Sequence, residues 1–463
     1  MNRDETTGDG SVRSRLLKWR SEHVPDTPFM FITVTVVGLA TGACAFVLKR
    51  MVAWISHGVM DYLTASGPDW QFIVAPVVGI LLTSFVTAYI MRAKLSHGVR
   101  RLKKALKLGD YKVSPDGIIY PMIASSITLG FGGSSGSEGP IACTGAAIGG
   151  NAWRWTGMSP QLLTIMVGCG AGAGIAGIFK APLGGALFTL EVMRIPMSTV
   201  PVLALVVCAL VSAMTAYALG GFTLDVTVQS LPDAFDPSLI GAVILLGVVC
   251  GLYSLYYSYI VKITERFLDS ISSRWVKNVI AGTSIGLVIF IFPSLYGEGY
   301  GVIGHLLNGD YGSLLTYSWF EHLPHTPWLL VAVAFGIVIV KCFATSATNS
   351  GGGVAGDFAP TLFAGCVLGF GYAMLADTLF GVSLPVGIMA LAGMAGVMSG
   401  VIRAPLMAMI LTSEMVGGYS CFLLLMTTAA VSFGIVRLVT FDDYYRHSAD
   451  RINGLAFRHL NRR

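Results

Sequence analysis

One long segment of this chain of 463 residues occurs twice, the copies roughly 220 residues apart. It runs from Gly177 to Glu191 and again from Gly400 to Glu414, and each copy contains a basic residue followed by Ala-Pro-Leu. Upstream, Gly136-Ser-Glu-Gly-Pro140 is echoed by Gly356-Asp-Phe-Ala-Pro360. Repeats of this length in an apolar chain are typical of transporter folds, whose functional site lies where the two halves meet.

The composition indicates that this chain folds in a bilayer. Hydrophobic residues make up 54% of the chain and charged residues 12%, whereas soluble domains carry about a quarter charged residues. Several apolar runs could cross all or most of a bilayer core, which takes ~20 residues per helix. They are residues 29–47, 72–90, 200–219, 239–259, 279–292 and 329–343. Because these runs do not alternate with period two, we predict an all-α polytopic membrane protein rather than a barrel.

Basic segments predict the orientation in the membrane. Residues 1–27 are polar and basic and lack the apolar core of a signal peptide. Further basic runs lie at 92–107, after the second predicted span, and at 446–463. Since positively charged segments stay inside, both termini are predicted to be cytoplasmic in a plasma or inner membrane. The net charge of +5 suits lipid headgroups as partners. We expect no nucleic acid, because the basic loop lacks interleaved aromatic residues.

The predicted domain organisation follows from these runs. We divide the chain into a cytoplasmic segment 1–27, a transmembrane domain 28–446 and a cytoplasmic tail 447–463, with two halves at about 28–225 and 236–446. The eight cysteines all lie in apolar runs, without CxxC spacing or clustered histidines. We therefore expect neither a metal nor a cofactor.

Two glycine-rich breaks, Gly130–Pro140 and Ser350–Pro360, interrupt the apolar pattern. Glycine permits an unwound backbone, and proline suits the first turn of the helix that follows. Each break therefore predicts an unwound segment that opens a helix inside the membrane. The free N–H groups and positive dipole end of such a helix attract anions, and backbone dipoles suit a halide because they bind it without trapping it. The alternative is that the glycines only allow close helix packing.

The charged residues in these segments have different interpretations. Glu138 lies inside the first break, where a carboxylate among apolar spans costs roughly 2.5–3.5 kcal/mol unless it faces a partner or water. It is therefore a functional candidate. Glu191 and Glu414 are duplicated, which favours a structural role for both. Lys180 and Arg403, at matching positions, either favour anion access or extend to the membrane surface.

In combination these motifs resemble the CLC family of chloride channels and chloride/proton antiporters. The family's Gly-x-Glu-Gly-Pro is matched at 136–140 and its Gly-x-Phe-Ala-Pro at 356–360, and the similarity runs from about residue 30 to about 446. The resemblance implies two inverted halves, a homodimer with one pore per subunit, and chloride or a similar anion held by helix N-termini. It also implies that Glu138 is the gating glutamate. The anion-binding positions that it implies in these two motifs are Ser137, Gly139, Asp357, Phe358 and Ala359.

Several residues around the anion depart from the family pattern, among them Arg100, which replaces the proline of the first anion-binding loop. The first anion-binding loop of the family, Gly-Ser-Gly-Ile-Pro, aligns with 96–100, so that His97, Gly98 and Val99 are the expected anion-binding residues there. His97 could donate an N–H to the anion and titrate near neutral pH, or it could be an ordinary loop histidine. Ser137 replaces a residue that is usually basic. Asp357 replaces an apolar residue, and we expect its carboxylate to cap a helix N-terminus locally.

The inner end of the pathway also departs from the family pattern. The inner tyrosine expected after the last span is Tyr444 or Tyr445. Val192 stands where antiporters of the family often have a second Glu, the intracellular proton relay, and valine cannot carry a proton. We therefore expect passive or weakly coupled anion flow, with exchange through water or His97 as the alternative.

Two more distant alternatives come from other functional classes. A cation-coupled transporter would bind Na⁺ at Glu138 and Asp357. An intramembrane hydrolase is disfavoured, because the serine-rich loops lack a positioned His or Asp partner. The chain is thus predicted not to be an enzyme.

Overall fold

The computed structural model describes residues 20, 22–64, 70–92, 99, 102–103, 106, 114–195, 198–223, 226 and 236–440. Several predicted features fall wholly or largely outside these residues. They are the segments 1–27 and 447–463, and the site candidates His97, Gly98, Tyr444 and Tyr445.

The described residues fold almost entirely into helices, numbered here in chain order. The first half contains α1 (Asp26–Thr64), α2 (Gln71–Ile90), α3 (Asp116–Gly130), α4 (Glu138–Thr156), α5 (Leu162–Phe179), α6 (Pro182–Val192) and α7 (Thr199–Leu219). The second half contains α8 (Ile240–Asp269), α9 (Arg274–Ile291), α10 (Tyr300–Leu307), α11 (Pro327–Ser350), α12 (Phe358–Phe380), α13 (Val386–Ile402), α14 (Pro405–Met415) and α15 (Phe422–Thr440).

Nine of the helices in the described part of the chain are long and apolar enough to cross a membrane. The predicted all-α polytopic class is therefore confirmed. The longest, α1, has 39 residues, which at 1.5 Å per residue gives about 58 Å. Because a bilayer core is about 30 Å thick, α1 must cross it at a tilt or extend beyond it.

The duplicated motif forms the same local structure in both halves. Lys180 ends α5 and Arg403 ends α13, each in the left-handed conformation with φ of 55° and 61°. The Ala-Pro-Leu that follows begins α6 and α14, with proline in the first turn, where its missing N–H leaves no hydrogen bond unmade. In each half the helix after the glycine-rich break packs closely on the next one, α4 on α5 and α12 on α13.

Glycine makes this packing possible at one crossing in each half. A methyl group on Gly145 of α4 would overlap the carbonyl oxygen of Gly170 in α5. In the second half, a methyl group on Gly365 would overlap the carbonyl oxygen of Gly393 in the same way. The backbones therefore approach more closely than any larger residue allows, as in other small-residue contacts between membrane helices.

A glutamate of each half forms hydrogen bonds with the start of a helix in the other half. Glu191 accepts hydrogen bonds from the backbone N–H groups of Leu406 and Met407 at the start of α14, at 3.3 and 2.8 Å. Glu414 accepts from the first-turn N–H groups of α6 at 3.0 and 2.8 Å. The first N–H groups of a helix have no acceptor within that helix. Here a glutamate carboxylate of the other half is the acceptor in both cases. These contacts are those of structural helix caps.

Candidate functional site

The two glycine-rich breaks meet at the centre of the molecule. Gly136 and Gly356 form an antiparallel bridge, in which each N–H donates to the other's carbonyl oxygen at 3.0 and 2.6 Å. The bridge joins equivalent residues of the two repeats, since both open the quoted motifs. The N-termini of α4 and α12 are thereby brought together within the membrane domain.

Two threonines at equivalent repeat positions support the unwound backbone. The hydroxyl oxygen of Thr348 accepts from the N–H of Ser134 at 3.2 Å, and that of Thr128 accepts from the N–H of Val354 at 3.1 Å. All four residues are buried. The N–H groups of Ser134 and Val354 lie outside the helices, so each needs another acceptor, and a threonine hydroxyl of the opposite half supplies it.

The Glu138 side chain extends from the start of α4 to the start of α12. Its Oε1 accepts from the backbone N–H of Ala359 at 3.0 Å and from the Tyr300 hydroxyl at 2.9 Å. The side chain is fully buried, and Oε2 has no hydrogen-bond partner among the residues that the structure describes. A carboxylate therefore occupies the helix N-terminus that the sequence assigned to an anion.

Aromatic contacts hold Tyr300 in place against Glu138. The Phe179 ring meets the Tyr300 ring edge-on at 6.3 Å between centroids. The Lys49 ammonium lies 5.4 Å from the centre of the same ring. Tyr300, of the second half, is therefore held by two residues of the first half, and its hydroxyl is directed to the candidate gate.

A second carboxylate, Glu298, occupies the start of α4. Its Oε1 accepts from the backbone N–H of Ser137 at 2.9 Å and from the Ser137 hydroxyl at 2.6 Å. Glu298 is only partly buried, whereas Ser137 is fully buried. The helix N-terminus of the first half thus also carries a side-chain carboxylate, supplied by the second half.

A buried lysine lies behind the first break. Lys341 of α11 is fully buried, and its ammonium donates to the Ser134 hydroxyl at 2.8 Å. The ammonium also lies 4.7 Å from the centre of the Phe363 ring, a cation–π distance. A buried basic side chain therefore contacts the first break two residues before the Gly136–Gly356 bridge.

Asp357 does not cap α12 as the sequence predicted. Its carboxylate makes no hydrogen bond to the N–H groups at the start of that helix. Instead, Oδ1 accepts from the Asn349 amide at 2.7 Å, and Asn349 Oδ1 lies 3.0 Å from the Ser135 hydroxyl. The prediction was wrong because the Asp357 carboxylate accepts from the Asn349 amide at the end of α11. The Ala359 N–H, at the start of α12, donates to Glu138 instead.

One cavity, of about 470 Å³, reaches the site from one side and is called here the first cavity. It is lined by Gly139 and Phe358 at the site, by Val192, and by Val99 of the basic loop. Its charged lining residues are Lys103, Lys262, Glu265, Asp357 and Arg403. The predicted site residues Val99, Gly139, Asp357 and Phe358 are therefore brought together around one space.

A larger opening, of about 670 Å³, is called here the second cavity. Glu298 and Tyr300, which contact Ser137 and Glu138, line its floor. Its other charged or titratable lining residues are Lys49, Arg50, His57, Tyr296, His305 and Tyr317. Glu138 therefore connects the linings of the two cavities, because its partner Tyr300 lines the second and its neighbour Gly139 lines the first.

The duplicated basic residues lie in unlike places. Arg403 lines the first cavity, whereas the Lys180 ammonium donates to the Thr223 carbonyl and lies 5.5 Å from the centre of the Tyr217 ring. Of the two, only Arg403 is placed to attract an anion into the first cavity.

Sequence reasoning missed Glu298, Tyr300 and Lys341. Glu298 stands between two glycines, much as Glu138 lies inside a glycine-rich break, and Lys341 interrupts a long apolar run. The membrane cost of a charge would have identified both. No comparable signal marks Tyr300, because a tyrosine near a helix start is common in any membrane protein.

Comparison with known proteins points to one family. The family described as "Voltage gated chloride channel" matches residues 79–437. The putative chloride channel protein ClcB-like of Ralstonia nicotianae is 26% identical over 85% of this chain and 90% of its own length. The H(+)/Cl(-) exchange transporter ClcA of Vibrio cholerae is 27% identical over 87% of this chain and 85% of its own length.

Solved structures share the fold. A slow cyanobacterial Cl-/H+ antiporter superposes with a TM-score of 0.73 at 22% identity, covering 89% of this chain and 94% of that one. A CLC-type fluoride/proton antiporter gives a TM-score of 0.71 at 20% identity, covering 89% of this chain and 95% of that one.

Proposed function

Because the chain belongs to the voltage-gated chloride channel family, we propose that it carries chloride, or a similar small anion, along a pathway gated by Glu138. The observation that carries this proposal is the buried Glu138 carboxylate on the Ala359 N–H at the start of α12. An ionised carboxylate there competes with a transported anion for the same helix dipole. When protonated, it loses that attraction and can leave.

The two cavities supply the rest of the pathway. The first cavity is lined by residues of the basic loop, which the positive-inside rule assigns to the cytoplasm. We place the second cavity on the other side of Glu138, where it faces the outside. Basic residues line both cavities, which raises the local anion concentration on each side of the gate. We extend the proposal to a homodimer with one such pathway in each subunit.

An anion is a better substrate for this site than a cation. The groups that face Glu138 Oε1 are the Tyr300 hydroxyl and the Ala359 N–H, and both donate. A Na⁺ site would instead gather several oxygen atoms around the ion. The donors at the gate therefore disfavour the cation-coupled alternative.

Passive or weakly coupled flow is the mode that we propose. Val192 lines the first cavity, and its carbonyl accepts from the Lys103 ammonium at 2.7 Å. The position at which antiporters often relay protons thus contributes no titratable side chain. Exchange is the second candidate, because Glu265 and Asp357 also line this cavity and could accept a proton from the cytoplasmic side.

Chloride efflux from proteoliposomes tests the proposed function. Purified protein should release trapped chloride when a potassium ionophore supplies the counter-current, and Na⁺ should not be required. Liposomes without protein are the control. If the protein releases no chloride, bromide, nitrate or fluoride, or if flux depends on Na⁺, the proposed function is wrong.

A further inference from the structure

Glu298 has the geometry of a gate, although it lies outside the two quoted family motifs. Its Oε1 accepts from the Ser137 N–H at 2.9 Å, the last backbone donor before α4 begins. The next residue along the chain is Glu138, whose carboxylate occupies the start of α12. The two helix N-termini that meet at the Gly136–Gly356 bridge therefore each bind a carboxylate.

Glu298 has a defined place in the second half of the chain. It lies in the short segment between α9 and α10, two residues before Tyr300. The helices α10 and α11 then lead to the glycine-rich break Ser350–Pro360. Through its contact with Ser137, Glu298 therefore brings a side chain of the second half to the break of the first half.

The surroundings of Glu298 differ from those of a purely structural cap. It is partly exposed at the floor of the second cavity, whose walls carry Lys49, Arg50, His57 and His305. An anion drawn in by these residues meets the Glu298 carboxylate before it reaches Tyr300 and Glu138. A fixed negative charge at that point repels the anion and occupies its helix dipole at the same time.

Building on the proposed function, we propose that Glu298 is a second gate. Its carboxylate occupies the anion position at the start of α4 and must leave the Ser137 N–H before an anion can pass between the second cavity and Glu138. The pathway then holds two carboxylates in series, one from each half.

Neutralising the two glutamates separately and together tests this proposal. Initial chloride efflux is measured at one pH for Glu138→Gln, Glu298→Gln and the double variant in proteoliposomes. Glu138→Gln alone should leave the barrier at Glu298, so the double variant should be about tenfold faster, since a hydrogen bond to a charged group is worth about 1.4 kcal/mol or more. Glu321→Gln is the matched control, because Glu321 is exposed and also accepts from a backbone N–H.

A cysteine variant keeps the test decisive if Glu298→Gln does not fold. In the Glu138→Gln background, Glu298→Cys should become slower again when an external thiol reagent adds a sulfonate. A neutral reagent of similar size should slow it much less. The parent protein, with its eight cysteines, should not respond to the sulfonate reagent. Equal slowing by both reagents, or no response to either, would overturn the second gate.

The outcomes for the two proposals are distinct. If the wild-type protein and Glu138→Gln carry no anion, the proposed function fails and the second gate fails with it. If both carry chloride and the double variant is no faster than Glu138→Gln, only the second gate is refuted. A double variant that is faster while the Glu321→Gln control is unchanged supports it.

Discussion

Two pairs of glutamates in this molecule make the same contact, with different symmetry. Glu191 and Glu414 stand at equivalent repeat positions, and each binds the first-turn N–H groups of the other half. Glu138 and Glu298 also bind helix-start N–H groups, but Phe358 stands at the repeat position of Glu138. The contacts of Glu191 and Glu414 occur in both repeats, and we interpret them as structural because both halves need the same scaffold. The contacts of Glu138 and Glu298 differ between the repeats, and we interpret them as functional because the two halves share one pathway.

The largest difference between the pairs should appear in the pH dependence of flux. Glu138→Gln imitates the protonated gate, so chloride efflux should be as fast as in the wild-type protein or faster, and should depend less on pH than wild-type efflux between acidic and neutral pH. Wild-type efflux should change by roughly tenfold over that range if protonation releases the carboxylate. Efflux rates over a pH series check this. A Gln variant that keeps the wild-type pH profile would remove Glu138 from the gate.

The symmetric pair should affect stability instead. Glu191→Ala and Glu414→Ala each leave two helix-start N–H groups without their acceptor, so each should lower the free energy of unfolding by about 1–2 kcal/mol. Unfolding in mild detergent measures the loss, with the exposed Glu321→Ala as control. The pH profile of chloride efflux should keep its wild-type shape. A changed profile with unchanged stability would reverse the roles of the two pairs.

A smaller effect is expected at Asp357, which lines the first cavity beside Phe358. Asp357→Ile removes a negative charge near the anion and should raise the apparent chloride affinity about two- to threefold, a modest effect at a partly exposed group. Binding or flux titrations with chloride give the value. Asp357→Asn removes the charge but keeps the size, and is the matched comparison. If both variants lose fold or flux, the contact with Asn349 is structural.

The smallest expected effect is on protons. With an outward chloride gradient and no proton gradient, the internal pH of proteoliposomes should show no sustained uphill movement, because Val192 offers no relay. Proton movement at a fixed anion-to-proton ratio would contradict passive flow. Glu265→Gln would then show whether the carboxylate in the first cavity supplies the proton, and His97→Gln is the parallel test in the basic loop.

Much of the fold could be predicted from the sequence because its causes are local. Long apolar runs predict the spans, and the glycine-rich breaks predict where α4 and α12 begin. The duplicated motif also predicted that Glu191 and Glu414 are structural, since a residue needed equally by both halves tends to occur twice. These features depend only on neighbouring residues or on the repeat itself.

The site was harder to predict because its contacts join distant segments. Tyr300 reaches Glu138 and Asn349 reaches Asp357 only after the halves have packed. The expectation for Asp357 failed for this reason, because a local capping rule could not foresee that Glu138 would take the Ala359 N–H. Glu298 and Lys341 did carry a signal, namely a charge inside an apolar region, but their partners could be found only in three dimensions.

The Gly136–Gly356 bridge has a consequence for the ancestry of the chain. When a residue pairs with its own equivalent in the other repeat, the contact lies on the two-fold axis that relates the repeats. Two copies of a half-length protein, inserted into the membrane in opposite orientations, could form the same pair of hydrogen bonds without any linker. Fusion of two such copies would keep the central bridge and free the residues around it to diverge. Substitutions such as Phe358 opposite Glu138 would then have become possible, giving one pathway two different ends.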